Sequence, residues 1–314
     1  MTSKKVAFFD SGIGGLTVLS KCMENADDLT FYYYGDNARA PYGNLPPETI
    51  RRYVFEAFDL FERLDVTAAV VACNTATAVC MDDLRARYTF PIIGTEPAIF
   101  PAASKGGEVL VLATRATVES KRMLRLLERA SLLYPDTRFR LAPCDDLAGG
   151  IEKGVPFERL KNFLPTCVPD AVVLGCTHYV YVRKEIENYY SVPVFDGNEG
   201  VAKRLKEVLN STKNRCFSKN FTKNRDERPP TAEICPKQVF EAEFCRAEKE
   251  PFLNGGYTNK CLQKCTKNGE KASKSGDFSQ IFFFGSGREI NYKKYEQMFV
   301  VDKNVKWQKV GGKV

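Results

Sequence analysis

Two cysteines stand where two similar stretches of sequence change from apolar to polar. Residues 65–77 read DVTAAVVACNTAT and residues 168–179 read VPDAVVLGCTHY, so Cys73 and Cys176 each end an apolar run and precede a polar pair. A thiol between a strand and the first turn of a helix is favoured as a thiolate, because the helix dipole and free N–H groups stabilise negative charge. A downward pKa shift would then let both thiols exchange protons at neutral pH.

The single histidine of the chain, His178, lies two residues after Cys176. Its imidazole can tune the neighbouring thiol or relay its proton. A metal site is not expected, because one histidine with scattered thiols lacks the spacing of metal ligands. A Cys–His hydrolase needs one nucleophile and one base, and it would leave Cys73 without a role.

A glycine-rich turn, DSGIGG at 10–15, ends the first apolar run. It lacks the dinucleotide-binding fingerprint, since Thr17 stands where the third glycine belongs. The turn instead presents Asp10, Ser11 and backbone N–H groups to a substrate carboxylate or ammonium group. In the second half of the chain Glu152 is the carboxylate of interest, although alone it is more typical of a solvated helix face.

These residues need a scaffold that brings strand ends together. The first 210 residues alternate short apolar runs with amphipathic helices, which predicts α/β lobes with parallel sheets. The predicted strands are Val6–Asp10, Thr30–Tyr34, Ala68–Cys73, Pro91–Thr95, Val109–Thr114, Phe139–Cys144, Ala171–Cys176 and Pro193–Asp196. The predicted helices are Pro47–Leu64, Ala76–Tyr88, Arg115–Tyr134, Phe157–Leu164 and Asn198–Leu209.

The similarity of the two cysteine segments favours two similar lobes rather than a solenoid, because the segments lie too far apart for a solenoid repeat. We expect a first lobe from residues 1–97 and 280–314, and a second lobe from residues 98–210. Residues 211–279 are predicted to be an insertion. Ligands bind at the carboxyl ends of strands in open parallel sheets. Two such edges facing each other would place both cysteines on a shared cleft between the lobes.

The end of the chain has a different character. Residues 211–279 are rich in Lys, Asn, Thr and Cys, and their periodicity is weak. The apolar run Ile281–Phe284, followed by Arg288–Phe299, predicts a last strand and helix that return to the first lobe. Cys261 and Cys265 are spaced almost like zinc ligands, but no second pair or histidine follows them.

Composition excludes several classes of protein. The 314 residues are 44% hydrophobic and 27% charged, and no apolar stretch approaches the ~20 residues that span a bilayer. The net charge of +7 is concentrated in residues 211–278, where Lys and Arg number 14 and Asp and Glu 9. The acids are interspersed, so nucleic acid is not an expected partner. Eleven cysteines without a signal peptide indicate reduced thiols and a cytoplasmic protein.

Taken together, the motifs resemble the glutamate racemase family of the aspartate/glutamate racemase superfamily. The resemblance covers residues 4–210 and 281–299, and it is carried by the segments Asp10–Gly15, Pro41–Gly43, Cys73–Thr75, Gly94–Pro97, Thr114–Thr117 and Gly175–His178. It implies two α/β lobes with glutamate between them. It also implies no cofactor and no metal, and we expect a homodimer. The family otherwise continues directly into the last strand, so the insertion is atypical.

The resemblance also implies roles for individual residues. Cys73 and Cys176 become the two acid/base residues, with Cys73 acting on D-glutamate and Cys176 on L-glutamate. Glu152 supports Cys176 or His178. The implied substrate contacts are Asp10, Ser11, Tyr42, Gly43, Asn74, Thr75, Thr114, Thr117, Thr177 and His178.

Inversion of an α-carbon explains why two thiols are needed. One group removes the proton from one face while the other delivers a proton to the opposite face, and the two exchange roles with each turnover. The expected activity is therefore the interconversion of L- and D-glutamate, which supplies D-glutamate for peptidoglycan synthesis. The alternative is an aspartate or hydantoin racemase of the same superfamily, with the insertion acting as a separate binding module.

Overall fold

Two parallel sheets organise the part of the chain that the computed structural model describes, which is residues 4–24, 29–218, 280–285 and 306–309. Within those ranges the strands are β1 (Lys4–Asp10), β2 (Leu29–Gly35), β3 (Ala68–Val71), β4 (Ile92–Gly94), β5 (Gly107–Ala113), β6 (Thr137–Pro143), β7 (Ala171–Gly175), β8 (Val194–Asp196), β9 (Gln280–Gly285) and β10 (Lys306–Lys309).

The first sheet has the strand order β10-β9-β2-β1-β3-β4, and the second has the order β6-β5-β7-β8. All pairings within them are parallel. The eight strands predicted from residues 1–210 all form, and the predicted strand at 281–284 is β9, which joins the first sheet beside β2. The α/β architecture of two parallel-sheet lobes is therefore confirmed.

Helices cover both faces of each sheet, and strands such as β3 and β7 are therefore buried throughout. The described helices are α1 (Gly15–Met23), α2 (Pro47–Arg63), α3 (Asn74–Arg87), α4 (Ile99–Ala103), α5 (Arg115–Val118), α6 (Lys121–Leu133), α7 (Asp145–Glu152), α8 (Phe157–Leu160), α9 (Arg183–Tyr190) and α10 (Asn198–Ser218). Short 3-10 turns occupy Tyr42–Asn44, Lys161–Phe163 and Thr177–Val182.

Four apolar clusters hold these layers together. Helices α2 and α3 pack on one face of the first sheet, and α1 and α10 pack on the other. In the second sheet α7, α8 and α9 cover one face, while α4 and α6 cover the opposite one. Both sheets are thus sandwiched, and their carboxyl edges are left open for polar side chains.

The helix predicted at 115–134 is interrupted by a serine. Helix α5 stops at Val118, and α6 starts after Ser120, whose hydroxyl accepts a hydrogen bond from the Met123 N–H at 3.0 Å. Serine is a strong N-cap, and the side-chain bond begins a new helix there. Helices α1, α4, α7 and α9 have no bounds predicted from the sequence, and the end of the helix predicted at 157–164 is the 3-10 turn after α8.

Helix α10 follows the last strand of the second sheet and packs against the first sheet. Val201, Leu205 and Leu209 of α10 lie in the same apolar cluster as Val6 and Phe8 of β1. The helix continues to Ser218, beyond the start expected for the insertion. Most of that insertion and the helix predicted at 288–299 lie outside the described residues.

The packing of α10 gives a stability prediction. Leu205 is 2% exposed, so we expect Leu205→Ala to lower the free energy of unfolding by about 2–5 kcal/mol, since the cavity forms between α10 and the first sheet. Leu132→Ala is the matched control, because Leu132 is 83% exposed. Urea denaturation measures both. Equal, small effects would contradict the packing of α10 on the first sheet.

Candidate active site

Cys73 lies at the carboxyl edge of the first sheet. It follows β3 and caps α3, where its Sγ accepts a hydrogen bond from the Ala76 N–H at 3.4 Å. The Ser11 hydroxyl lies 3.4 Å from the same sulfur. Ser11 follows β1, the neighbour of β3, so the parallel pairing brings the two side chains to one edge.

Burial dominates the chemistry of this thiol. It raises the pKa of Cys73 to about 12, and the nearby charge of Asp10 acts in the same direction. The bonds from Ser11 and Ala76 lower the pKa by less than burial raises it. The downward shift expected from the helix N-terminus is therefore wrong in its net direction. In the free protein Cys73 is a protonated thiol at neutral pH.

Cys176 has a different environment at the end of β7. Its Sγ lies 3.8 Å from His178 Nδ1, and His178 Nε2 lies 2.7 Å from Glu152 Oε1. Glu152 is the last residue of α7. The carboxylate, the imidazole and the thiol thus form a chain within the second lobe.

His178 is buried, and burial alone would favour its neutral form. The hydrogen bonds with Cys176 and Glu152, together with the charge of Asp10, outweigh this and raise the pKa of His178 well above its ordinary value. The imidazole is therefore protonated at neutral pH. His178 therefore places a positive charge beside the Cys176 sulfur, which lies 3.8 Å from His178 Nδ1.

The two lobes meet through Asp10 and the glycine-rich turn. Asp10 Oδ2 accepts a hydrogen bond from the Gly12 N–H at 2.9 Å, and Asp10 Oδ1 accepts one from the Thr177 hydroxyl of the other lobe at 3.3 Å. A Cβ at Gly14 would lie 2.4 Å from Thr177 Oγ1 and 2.8 Å from the His178 backbone nitrogen. Only glycine permits this approach of the first turn to the Cys176 segment. Burial raises the pKa of Asp10.

A second polar contact between the lobes is made by threonines. Thr75 Oγ1 of α3 lies 2.9 Å from Thr114 Oγ1, and Thr114 lies 3.0 Å from the hydroxyl of Thr117. Beside them Asn74 is 6% exposed, and its Oδ1 has no hydrogen-bond partner among the described residues. A buried amide oxygen without a partner costs free energy, and a ligand N–H group would satisfy it.

Tyr42 and Gly43 form the turn that follows β2. Tyr42 is 1% exposed, and its hydroxyl donates a hydrogen bond to the Asp36 carboxylate. A Cβ at Gly43 would lie 3.1 Å from Asp145 Oδ1 and 3.2 Å from Thr114 Cβ. The turn of the first lobe therefore packs closely against the second lobe.

The structure thus brings the expected site residues to the facing edges of the two sheets, with Glu152 behind His178. Three contributors were missed by the sequence analysis. Tyr33 donates to the Gly12 carbonyl and Tyr181 to the Ile13 carbonyl, so that two hydroxyls hold the glycine-rich turn. Asp36 is the third contributor. It directly follows an apolar strand, and this position in the sequence could have predicted it.

Other site types receive no support from the described residues. In those ranges no group of three or more His, Cys, Asp or Glu side chains could hold a metal ion. The six cysteines whose side chains are described are free. No helix in the same ranges is long and apolar enough to cross a membrane.

Comparison with known proteins identifies the class. A model of the Asp/Glu/hydantoin racemase family matches residues 16–205. The crystal structure of Escherichia coli glutamate racemase, in complex with L-glutamate and the activator UDP-MurNAc-Ala, aligns with a TM-score of 0.61 and 31% identity. It covers 66% of this chain and 82% of that chain. The chain is therefore an amino-acid racemase, an isomerase.

Sequence relatives narrow the class further. A glutamate racemase of Clostridium botulinum (strain Okra) is 36% identical over 225 residues, which are 68% of this chain and 86% of the relative. A glutamate racemase of Clostridium perfringens (strain SM101) is 38% identical over 218 residues, 65% of this chain and 82% of the relative. The chain belongs to the glutamate racemase family.

The His178–Glu152 pair gives a direct spectroscopic prediction. Because His178 is the single histidine, its imidazole C–H signals in a ¹H NMR titration need no assignment. We expect Glu152→Gln to lower the pKa of His178, since the variant removes one of the hydrogen bonds that raise it. Glu158→Gln is the control, because Glu158 pairs with Lys161 on the surface. A wild-type His178 that titrates at its ordinary value would contradict the assigned ion pair.

Proposed function

We propose that the chain interconverts L- and D-glutamate by a two-base mechanism, in which Cys73 and Cys176 act on opposite faces of Cα. The observation that carries this proposal is the position of the two thiols at the facing carboxyl edges of two lobes. The lobes are linked at that edge by the Thr177–Asp10 and Thr75–Thr114 contacts. A charge on Cys176 also raises the pKa of Cys73, so the Cys73 thiol responds to the ionisation of Cys176.

The unequal surroundings of the thiols suit one direction of the reaction. In this direction Cys73 starts as a thiol, which its burial favours, and Cys176 takes the role of the base beside the His178 imidazolium. The Cys176 thiolate takes the Cα proton of L-glutamate, and the Cys73 thiol gives its proton to the opposite face. The products are D-glutamate, a Cys176 thiol and a Cys73 thiolate, which is the form that acts on D-glutamate.

The carbanion formed between the two transfers needs stabilisation from fixed polar groups. The buried hydroxyl groups of Ser11, Thr75, Thr114, Thr117 and Thr177 lie in segments that follow the carboxyl ends of strands, and they are suited to the substrate carboxylates. Asn74 Oδ1 and the Asp10 carboxylate are acceptors for the α-ammonium group. Such groups are oriented before the reaction and act strongly where water is excluded.

No cofactor is required by this scheme, and the reaction is a pure proton exchange at one carbon. We propose that the product serves peptidoglycan synthesis in the cytoplasm and that the enzyme acts as a homodimer. These assignments follow the family membership. The second candidate function is racemisation of aspartate or a hydantoin, which the family model also covers. The identity to glutamate racemases over 225 residues favours glutamate.

Removal of either thiol tests the two-base scheme. We expect Cys73→Ala and Cys176→Ala each to lower racemisation in both directions by roughly 10²–10⁴-fold, the usual contribution of a positioned acid or base. Circular dichroism follows the turnover of both enantiomers. In deuterium oxide, exchange at Cα persists for the enantiomer whose proton the remaining thiol removes.

Cys80→Ala is the control for this experiment. Cys80 lies on α3 as a buried thiol of the apolar core, about two helical turns after Cys73. Its variant retains turnover. Full racemisation by either variant of the proposed bases would exclude the two-thiol mechanism.

A substrate panel separates the two candidate functions. We expect the purified enzyme, treated with a chelator and without pyridoxal phosphate, to racemise L-glutamate at least about tenfold faster than L-aspartate, a difference of ~1.4 kcal/mol in the barrier. Glutamate has one more methylene than aspartate, so the distance between its two carboxylates is longer. A preference for aspartate or a hydantoin would overturn the choice of glutamate.

A further inference from the structure

A buried carboxylate outside the expected site lies directly after β2. Asp36 is 0% exposed, and its backbone N–H donates to the Asp10 carbonyl at 3.0 Å. Its side chain accepts hydrogen bonds from Arg39 Nε at 2.8 Å and from the Tyr42 hydroxyl. One residue therefore touches both the strand end that carries Asp10 and the turn that carries Tyr42.

The arginine partner is itself fixed. Arg39 Nη1 donates to Glu56 Oε2 at 2.7 Å, and the guanidinium lies 3.8 Å from the centroid of the Tyr53 ring. A carboxylate that is removed from water needs such a partner, because an unpaired buried charge is strongly unfavourable. Arg39 Nε supplies that partner at 2.8 Å, and a carboxylate held in such a pair is a strong acceptor for the Tyr42 hydroxyl.

The Tyr42 ring is held between elements of the first lobe. It packs on Phe9 of β1, with ring centroids 6.1 Å apart, and it is almost fully buried. Burial and the neighbouring Asp36 raise the pKa of Tyr42, so the phenol remains a hydrogen-bond donor at every working pH. Its hydroxyl is committed to Asp36, which anchors the turn to the end of β2.

The other side of this turn faces the second lobe. Gly43 is so close to Asp145 and Thr114 that a Cβ would lie 3.1 Å from one and 3.2 Å from the other. Thr114 in turn contacts Thr75, the residue two positions after Cys73. A displacement of the Tyr42 turn would therefore shift the threonine contact between the lobes.

We propose that Asp36 is a positioning residue, which acts through Tyr42 to hold the Tyr42–Asn44 turn against Thr114 and thereby sets the affinity for the substrate. The inference rests on the proposed function, since it takes the space between the lobes as the glutamate site. It adds a residue that touches neither thiol and that reaches the site through one hydrogen bond.

Tyr42→Phe is the mildest test, because it removes only the hydroxyl that Asp36 binds. We expect KM for glutamate to rise about tenfold, with a much smaller change in kcat. The turn contributes to binding in the ground state and in the transition state alike, and a loss of uniform binding raises KM.

The chain offers a matched control in the same lobe. Tyr88 is 4% exposed, and its hydroxyl donates to Asp59 Oδ1 at 2.6 Å, while Arg87 pairs with the same carboxylate. This Tyr–Asp–Arg group lies away from the carboxyl edge. Tyr88→Phe removes an equivalent hydrogen bond, so a stability loss alone would lower the thermal midpoint of both variants and leave KM of the Tyr88→Phe enzyme unchanged.

A double-mutant cycle identifies Asp36 as the origin of the effect. We expect Asp36→Asn to raise KM at least as much as Tyr42→Phe, and the double variant to show no further increase beyond Asp36→Asn alone. If Asp36→Asn does not fold, the comparison of KM for glutamate between Tyr42→Phe and Tyr88→Phe still tests whether the hydrogen bond to Asp36 sets the affinity for the substrate.

The outcomes separate this inference from the proposed mechanism. A folded Tyr42→Phe enzyme with wild-type KM would overturn the positioning role and leave the two-thiol scheme intact. Racemisation by Cys73→Ala or Cys176→Ala would overturn that scheme, while the KM comparison at Tyr42 could still be read from the wild-type activity. Additive KM effects in the cycle would show that Asp36 does not act through Tyr42.

Discussion

Proton transfer to opposite faces of one carbon requires two groups that no single sheet edge can supply. In a parallel sheet the side chains after each strand lie on one edge, and they approach a ligand from one side. In the proposed mechanism this protein meets the requirement with two parallel sheets whose carboxyl edges face each other. The Asp10–Thr177 hydrogen bond and the Thr75–Thr114 contact are the polar links at that junction. The relative position of the thiols depends on them.

The same burial that excludes water from the site also makes the two thiols unequal. A thiolate at Cys73 would lie near the Asp10 carboxylate in an apolar setting, which is why its pKa rises to about 12. Cys176 has the His178 imidazolium beside it, and Glu152 keeps that imidazole charged. In the proposed two-base mechanism, the two thiols that exchange protons with the substrate therefore lie in different surroundings.

Much of this arrangement could be predicted from sequence because strand ends are visible in a hydrophobic pattern. The apolar runs before Cys73 and Cys176 predicted where two strands end, and the polar residues after them were therefore expected at the carboxyl edges of the two sheets. The interruption of the helix at Ser120 was not predicted, since an N-cap competes with good helix formers on both sides. The pKa direction of Cys73 was also missed, because burial depends on elements far away in the chain.

Asp36 shows why a hydrogen-bond network is harder to infer than a strand end. Its sequence position resembles that of Asp10, but its function depends on Arg39 and Tyr42, and only the fold shows that both side chains turn back onto it. A second contact that is not visible in the sequence lies where two segments of the chain pass between the lobes. A Cβ at Gly197 would lie 2.2 Å from the Glu96 carbonyl oxygen, so the two crossing segments touch. Side-chain hydrogen bonds at the sheet edges and this backbone contact together fix one lobe against the other, and the spacing of the thiols follows from both.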